Sequence, residues 1–192
     1  MNPVYLDPTE YTVYGLPTTT TAAQAIAAST AIDGFLQRPA GCLYDVDGAS
    51  VPVAMTETGA PLVERTPSPT NGYVQVSYWP VVQVISVEER ITGAWQALTG
   101  FSFEADGRVW LDGVTLSGGD LRVTFVAGWQ YASLPAAVKQ ACANLITAAI
   151  QAPLVGNTKI LRAGDTMLER FADTLLDADI RAMLNPYRRI IL

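Results

Sequence analysis

The chain has 192 residues, of which 49% are hydrophobic and 16% are charged, and its net charge at neutral pH is −6. This composition is too apolar for a disordered protein, includes no apolar run of the roughly 18 residues that span a bilayer, and is too acidic to grip nucleic acid by neutralising phosphates. The chain contains no histidine, which excludes Ser-His-Asp and Cys-His catalysis and histidine zinc sites.

The charge is unevenly distributed along the chain. Residues 1–60 carry a net charge of −5, with Arg38 as their only base, and residues 61–154 carry −2. Residues 155–192 carry +1 and are the only section with a positive balance. We therefore expect the C-terminal end to suit an acidic partner surface.

The first predicted element is a helix within residues 18–38. Thr21-Ala22-Ala23-Gln24 matches a capping box, which is typical of a helix N-terminus, and Pro39 ends the helix. Its inner side is predicted to carry Ile26, Ser29 or Thr30, Ile32, Phe35 and Leu36. Its many alanines suit either an ordinary core helix or close packing against another subunit.

Residues 40–130 are predicted to form a loop and a β-rich part. Glycines and prolines interrupt residues 40–72, which are interpreted as a long loop or irregular hairpin with one short strand around Val51, Val53 and Met55. Residues 73–127 then alternate apolar and polar side chains, or are rich in β-branched ones, as in an antiparallel meander of about four to six strands. Asp106-Gly107 between two short strands predicts a tight hairpin turn.

Residues 133–184 return to helical periodicity. Pro135 suits a first turn, and Val138, Ala141, Cys142, Leu145, Ile146 and Ala149 form an apolar stripe that Pro153 ends. After a linker at 154–164, Thr166-Met167-Leu168-Glu169 predicts a second capping box and a helix that carries Leu168, Phe171, Leu175 and Leu176. Asp177 and Asp179 are interpreted as a helix-junction cap before a short helix that ends near Pro186.

This order of elements predicts the α+β class, with an antiparallel sheet inserted between the first and second helices. We predict a single domain over residues 1–192. Within it the parts are 18–38 (N-terminal helix), 40–130 (loop and β-rich insertion), 133–184 (helical part) and 185–192 (C-terminal tail).

The sequence offers little for catalysis, and we predict no catalytic, cofactor-binding or metal-binding residues. Asp45-Val46-Asp47-Gly48 departs from a calcium loop, because its glycine is misplaced and no glutamate closes it. Glu88 and Glu89 are interpreted as a solvated strand end. Cys42 and Cys142 are interpreted as small buried apolar residues, and the four tryptophans as packing of a sheet onto helices.

Several segments together resemble the head–tail adaptor (connector) proteins of tailed bacteriophages. They are Val81–Val87 followed by Gly93-Ala94-Trp95, the strand Leu121–Trp129 with the helix start Leu134–Ala141, and the closing stretch Ala182–Arg189 with its Leu-x-Pro-Tyr-Arg pattern. Ile32–Leu36 also fits. The resemblance extends over most of the chain from about residue 20, while residues 43–72 lack a counterpart.

The resemblance implies a non-enzymatic virion protein, made in the cytoplasm of the host bacterium and located at the junction of capsid and tail. Such proteins form a homo-oligomeric ring, usually a dodecamer, below the portal protein. The ring extends the DNA channel, so that double-stranded DNA passes without specific binding, and it offers a surface to a downstream stopper or tail protein. No cofactor and no membrane contact is expected.

The resemblance also implies that the C-terminal tail contacts the portal. The matching positions are Leu184, Pro186, Tyr187, Arg188 and Arg189. We extend the predicted contact to Ile190, Ile191 and Leu192, because an exposed apolar terminus usually marks an interface. The alternative is a tail folded back on its own core.

Three other classes of function stay open at this point. One is another neck or tail component, a stopper or a tail terminator, although stoppers are mostly small β-barrels that would not need two helices after the sheet. Another is a carboxylate-based enzyme that uses Asp45 and Asp47. The third is a small-molecule or carbohydrate-binding module, for which the aromatic residues of the sheet are the only support.

Overall fold

The computed structural model describes residues 4–38, 41–43, 62–69, 72–155, 160–163, 166–169 and 176–189. Its helices are α1 (Ala22–Leu36), α2 (Ala136–Val155) and α3 (Ala178–Leu184). Its strands are β1 (Leu62–Thr66), β2 (Tyr73–Gln75), β3 (Val81–Ile91), β4 (Ala94–Ala97), β5 (Ser102–Phe103), β6 (Arg108–Trp110), β7 (Leu121–Ala127), β8 (Ile160–Ala163) and β9 (Thr166–Glu169). Consecutive antiparallel strands separated from the helices confirm the predicted α+β class.

The strands form three sheets. Their orders are β1-β7-β3-β4, β2-β6-β5 and β8-β9, and the pairs are antiparallel. Residues 73–127 contain six strands, within the predicted number, but these do not form one meander. Strand β7 pairs with β3 and also with β1, which comes from the segment predicted as a loop or irregular hairpin.

Two apolar cores lie side by side. The helical core combines α1, α2 and α3 with the N-terminal segment, where Tyr5 and Leu6 are fully buried. The β core lies between the four-stranded and the three-stranded sheets, which both contribute valines to it. Among the described residues, no helix is long and apolar enough to cross a membrane.

The first and third helices follow the predicted local signals. Thr21 accepts a hydrogen bond from the Gln24 backbone N–H, and the Gln24 side chain accepts one from the Thr21 N–H at 2.8 Å. The capping box is thus confirmed. Asp177 caps α3 by accepting from the Ile180 N–H at 2.8 Å, also as predicted.

The inner side of α1 is shifted from the prediction toward smaller residues. Ser29, Ile32 and Leu36 are buried, and Ile26 and Phe35 are half-buried. Ala25 and Ala28 are also buried, although the sequence analysis did not select them. The stripe of α2 is confirmed, with Val138, Ala141, Cys142, Leu145 and Ile146 buried and Ala149 half-buried.

Two helix predictions in the C-terminal third are wrong. Pro153 does not end α2, which continues to Val155. Proline has a helix-compatible φ, and near the end of a helix it removes only one hydrogen bond. Thr166–Glu169 is strand β9, paired with Ile160–Ala163, and does not begin a helix. A four-residue capping pattern carries no information on a distant strand partner.

Residues 170–175 lie outside the described part of the chain, as do Asp45, Asp47 and the predicted strand at 51–55.

The pair Glu88 and Glu89 is not a solvated strand end. Glu88 receives two hydrogen bonds from the Arg122 guanidinium, both of 2.7 Å. Glu89 is fully buried, and one of its oxygens accepts from the backbone N–H groups of Ser117 at 2.6 Å and Gly119 at 3.1 Å. Buried backbone donors need such acceptors, so Glu89 fixes the turn that leads into β7.

Candidate functional site

The C-terminal tail leaves the helical core at a fixed point. Ile180 and Leu184 on α3 are 1% and 0% exposed and anchor the helix. Asn185–Tyr187 then forms a 3-10 turn, with Pro186 at its start, where a missing N–H costs nothing. The buried Leu184 therefore fixes the position on the fold from which residues 185–189 extend.

Tyr187 packs into an aromatic cluster at the junction of the two cores. Its ring stacks on Trp79 with centroids 6.1 Å apart and meets Trp129 edge-on at 5.5 Å. The two tryptophans also meet edge-on at 5.5 Å. Trp79 precedes β3 and Trp129 follows β7, and Val81 pairs with Ala127, so Tyr187 contacts the residues that flank one end of this central strand pair. Aromatic pairs of this geometry contribute about 0.5–1.5 kcal/mol each beyond their buried area.

The two arginines of the tail contact the C-terminal end of α1 and the segment between β2 and β3. The Arg188 guanidinium lies 5.0 Å from the centre of the Phe35 ring, and that of Arg189 lies 5.5 Å from the centre of the Tyr78 ring. The Arg189 N–H donates to the Leu36 carbonyl at 3.2 Å. Carbonyls in the last turn of a helix have no partner within it, so the tail satisfies one of them. We call Phe35–Arg38, Tyr78, Trp79 and Trp129 the tail-binding surface.

Arg38 is the buried charged residue of this surface. It is 5% exposed, donates to the Trp79 carbonyl, and its guanidinium is 5.5 Å from the centre of the Trp129 ring and 5.8 Å from that of Tyr78. A buried cation is costly without partners, and stacking on aromatic rings is a contact that guanidinium makes well. Sequence analysis did not select Arg38. Its position as the only base in residues 1–60 was the available signal.

A buried polar cluster lies close enough to Arg38 to interact with its charge. The Tyr5 hydroxyl donates to the Asp33 carboxylate and accepts from the Cys42 N–H at 2.7 Å. Burial raises the pKa of Asp33 to about 6, although the Tyr5 hydrogen bond and the Arg38 charge oppose the rise. Burial also raises the pKa of the Cys42 thiol to about 12, so it is uncharged at neutral pH. Cys42 and Cys142 are both buried free thiols, which confirms their predicted burial.

A cleft of about 810 Å³ opens beside the tail. Glu64 of β1 lies in it and accepts from the Ser77 N–H with both oxygens, at 3.0 and 3.2 Å. Burial raises the pKa of Glu64, and the hydrogen bond from Ser77 and the charge of Arg189 act against this rise. The polar side chains of Gln37, Arg65, Thr66 and Arg189 also line the cleft, together with the apolar Val63 and Pro67, so both polar and apolar groups face it.

The structure brings the described part of the predicted portal contact together on one surface. Leu184 is buried, Tyr187 and Arg188 are half-buried, and Pro186 and Arg189 are exposed. Ile190, Ile191 and Leu192 lie outside the described residues. The contact with a portal stays a prediction, and residues 185–189 pack on the chain's own surface, as in the alternative of a folded-back tail.

The tryptophans fill two different roles. Trp79 and Trp129 pack between the β part and the helical part, as predicted for all four. Trp95 and Trp110 lie instead on the outer faces of the two large sheets, where they contact Arg122 at 4.6 Å and Tyr73 at 4.9 Å, respectively. Alternation along a strand places a side chain on one face, but it does not tell which face is covered.

Replacing Asp33 by asparagine tests the buried cluster. A carboxyl group with a raised folded-state pKa stabilises the fold most below its unfolded pKa, about 4, and this contribution is lost as pH rises through the folded pKa of about 6. We expect wild type to lose about 2–3 kcal/mol more than Asp33→Asn between pH 4 and pH 7. Urea unfolding at several pH values measures this difference, and parallel profiles of the two proteins would contradict it.

Comparisons with known proteins bear on the fold. No family model and no curated protein matches the chain. A chain from the neck of an empty gene transfer agent particle, computed with C6 symmetry, aligns with a TM-score of 0.52 and 18% identity, over 100% of this chain and 95% of that chain. A chain from the virion of a native gene transfer agent particle aligns with a TM-score of 0.52 and 17% identity, over 98% and 91%.

A third similar chain belongs to the neck of a native particle computed with C12 symmetry. Its TM-score of 0.45, at 16% identity, is too low to carry an argument. The first alignment spans the helices, both large sheets and the tail-binding surface, because it covers the whole chain. The chain shares the fold of a gene transfer agent neck component from end to end.

Proposed function

We propose that the chain is a structural subunit of the neck of a phage-like particle, where it acts as a head–tail adaptor. The observation that carries this proposal is the fold shared with a neck chain over 100% of this chain and 95% of that chain. The adaptor would lie below the portal, join the capsid to the rest of the neck and tail, and work without catalysis. It would reside in the virion after synthesis in the cytoplasm of the host bacterium.

The proposed assembly is a closed ring. The similar neck structure was computed with C6 symmetry, and six-fold symmetry is satisfied by copy numbers that are multiples of six. We propose twelve copies, as the resemblance to phage adaptors implies. If acidic residues of this chain, whose net charge is −6, face the lumen, DNA would slide along the channel wall, because like charge repels phosphate.

The proposed portal contact is the C-terminal tail. Some of its residues would hold the tail in place, and others would contact the portal. Leu184 and Tyr187 hold the tail in place, because both pack on the chain's own fold. Arg188, Arg189 and the apolar Ile190, Ile191 and Leu192 would contact the portal, with Pro186 exposed beside them. Tyrosine and arginine are frequent among residues that dominate binding energy. The other end of the ring would bind a downstream stopper or tail protein.

Binding to purified portal rings tests the proposal with three forms of the protein: full length, ending at Arg189, and ending at Leu184. We expect the form ending at Leu184 to bind at least about tenfold more weakly than full length. The form ending at Arg189 keeps the contacts of Tyr187 and the arginines and should fall between them. Pull-down with quantified bound protein, followed by electron microscopy of the complexes, measures both affinity and ring formation.

Thermal unfolding of the three forms provides the control, because residues 185–189 also stabilise the chain itself. A form that melts well above the assay temperature is folded, so that its weaker binding reports the contact. Equal binding by the full-length protein and the form ending at Leu184 would refute the role of the tail. A full-length protein that never joins portal rings would refute the adaptor function.

A further inference from the structure

The β part carries opposite charges on its two outer faces. On the four-stranded sheet, Arg65, Arg90, Arg122 and Glu88 lie on the side away from the β core, since their strand neighbours point inward. Three arginines and one glutamate give this side a charge of +2. We call these four residues, together with Trp95, the arginine face. In a chain with a net charge of −6, such a cationic surface is exceptional.

The arginine face is ordered and partly apolar. Trp95 lies 4.6 Å from the Arg122 guanidinium and 5.6 Å from that of Arg65, measured to the ring centre. Val63 and Ile85 beside it are 57% and 47% exposed. Tryptophan and arginine within an apolar surround are typical of the centre of a protein interface. No described residue covers this face.

The outer face of the three-stranded sheet is complementary in charge to the arginine face. Glu104, Asp106 and Asp112 are exposed on it or just beyond its last strand, and Arg108 is the only base among them, which gives −2. Arg108 forms ion pairs with Glu104 at 3.6 Å and Asp106 at 3.2 Å. Trp110 donates to Glu104 at 3.1 Å. We call the three acids, with Trp110, the acidic face.

The two faces point in opposite directions, because the inner sides of both sheets share one core. Val74 and Val109 of the three-stranded sheet pack there with Val87, Val123 and Phe125 of the four-stranded sheet. A ring subunit needs two different complementary surfaces on opposite sides, since head-to-tail contacts close a ring. We infer that the arginine face of one copy binds the acidic face of the next copy. This inference rests on the proposed ring.

DNA is a weaker candidate for the arginine face. The charge of Arg122 is already matched by Glu88 through two hydrogen bonds of 2.7 Å. Arg65 and Arg90 are then the two cations left for phosphates, whereas proteins that grip DNA by charge make several such contacts. Exposed Val63 and Ile85 suit a protein surface.

Two charge-reversed proteins test the contact. The first carries Arg65→Glu and Arg90→Glu. The second carries Glu104→Lys and Asp112→Lys, and leaves Asp106 intact because its side chain accepts from the Arg108 N–H at 3.1 Å in the hairpin turn. Ring formation on portal rings, and without them at high protein concentration, is counted by electron microscopy. A control with Thr18→Glu and Thr19→Glu adds acid at exposed positions outside both faces.

Each charge-reversed protein alone should form at least about tenfold fewer rings than wild type, because like charges then meet at every contact. An equal mixture of the two should recover rings in which they alternate, since each junction regains opposite charges. The control should assemble like wild type, and circular dichroism should show all proteins folded.

The outcomes separate the two proposals. If wild type forms no ring in either setting, the proposed ring is wrong and the inference falls with it. If wild type and both charge-reversed proteins form rings equally well, the ring stands and the contact between these faces is refuted. Normal rings from the arginine variant that bind duplex DNA more weakly than wild-type rings would refute the copy-to-copy contact and assign the arginine face to DNA.

Discussion

Gly41→Ala is expected to lower the free energy of unfolding by more than about 3 kcal/mol, a large part of the roughly 5–15 kcal/mol that stabilises a typical domain. A Cβ atom at residue 41 would lie 1.9 Å from the Tyr5 hydroxyl oxygen and 2.1 Å from an Asp33 carboxylate oxygen. Tyr5 is fully buried and bonded to Asp33 and to the Cys42 N–H, so neither side chain can withdraw cheaply. Residue 41 also has a φ of +61°, which favours glycine.

Gly15→Ala provides the matched control. Gly15 has a φ of +73°, and nothing lies within 4 Å of a Cβ built there. Its replacement should cost only the backbone strain, about 1 kcal/mol. Urea unfolding of both variants separates the steric cost from the strain. Equal losses in the two variants would show that the cluster around Tyr5 is loose.

A second background sharpens the same test. In a chain that carries Tyr5→Phe and Asp33→Ala, the two oxygen atoms that crowd residue 41 are absent. Gly41→Ala should then cost about as much as Gly15→Ala, because only the backbone strain is left. An unchanged large cost in this background would place the clash elsewhere.

The parts of the fold that were predictable are encoded locally. The capping box at Thr21, the cap at Asp177 and the Asp106-Gly107 turn each need contacts within a few residues, and all are present. The apolar stripe of α2 needs only a helical period. Such signals are complete within a short window of sequence, so reading them requires no knowledge of the partner.

The features that were missed depend on partners distant in sequence. Strand β1 forms by pairing with β7, about 60 residues further on, and Glu89 is buried because the turn at Ser117–Gly119 donates to it. Thr166–Glu169 has a helix-start pattern but is held as a strand by β8. Tertiary pairing overrides local propensity in these places.

Of the candidate site, the sequence predicted the tail but not the surface on which the tail packs. The composition of the tail, with Tyr187, Arg188 and Arg189 after a proline, indicated a contact surface. The surface that holds it comes from three separate segments, at Phe35–Arg38, Tyr78–Trp79 and Trp129. No single window of sequence contains the tail and its partners, so only the fold could bring them together.

Tyr187→Ala is expected to lower the free energy of unfolding by about 2–3 kcal/mol. The substitution removes a half-buried ring and two aromatic pairs, with Trp79 and Trp129, at the junction of the cores. Tyr187→Phe keeps the ring and should stay within about 0.5 kcal/mol of wild type. Tyr73→Ala is the matched control, because Tyr73 is also half-buried but has one aromatic partner, Trp110 at 4.9 Å. It should cost about 1 kcal/mol.

The same variant distinguishes two ways in which the tail could serve a partner. If the packed tail is already in its binding position, as we propose, Tyr187→Ala removes that preorganisation and should weaken portal binding at least about tenfold, while Tyr73→Ala leaves it unchanged. Trypsin should also cleave after Arg188 and Arg189 faster in Tyr187→Ala, because the tail then detaches more often. Stronger portal binding by Tyr187→Ala would reverse the interpretation: the contacts of Tyr187 with Trp79 and Trp129 would then hold the tail away from its partner.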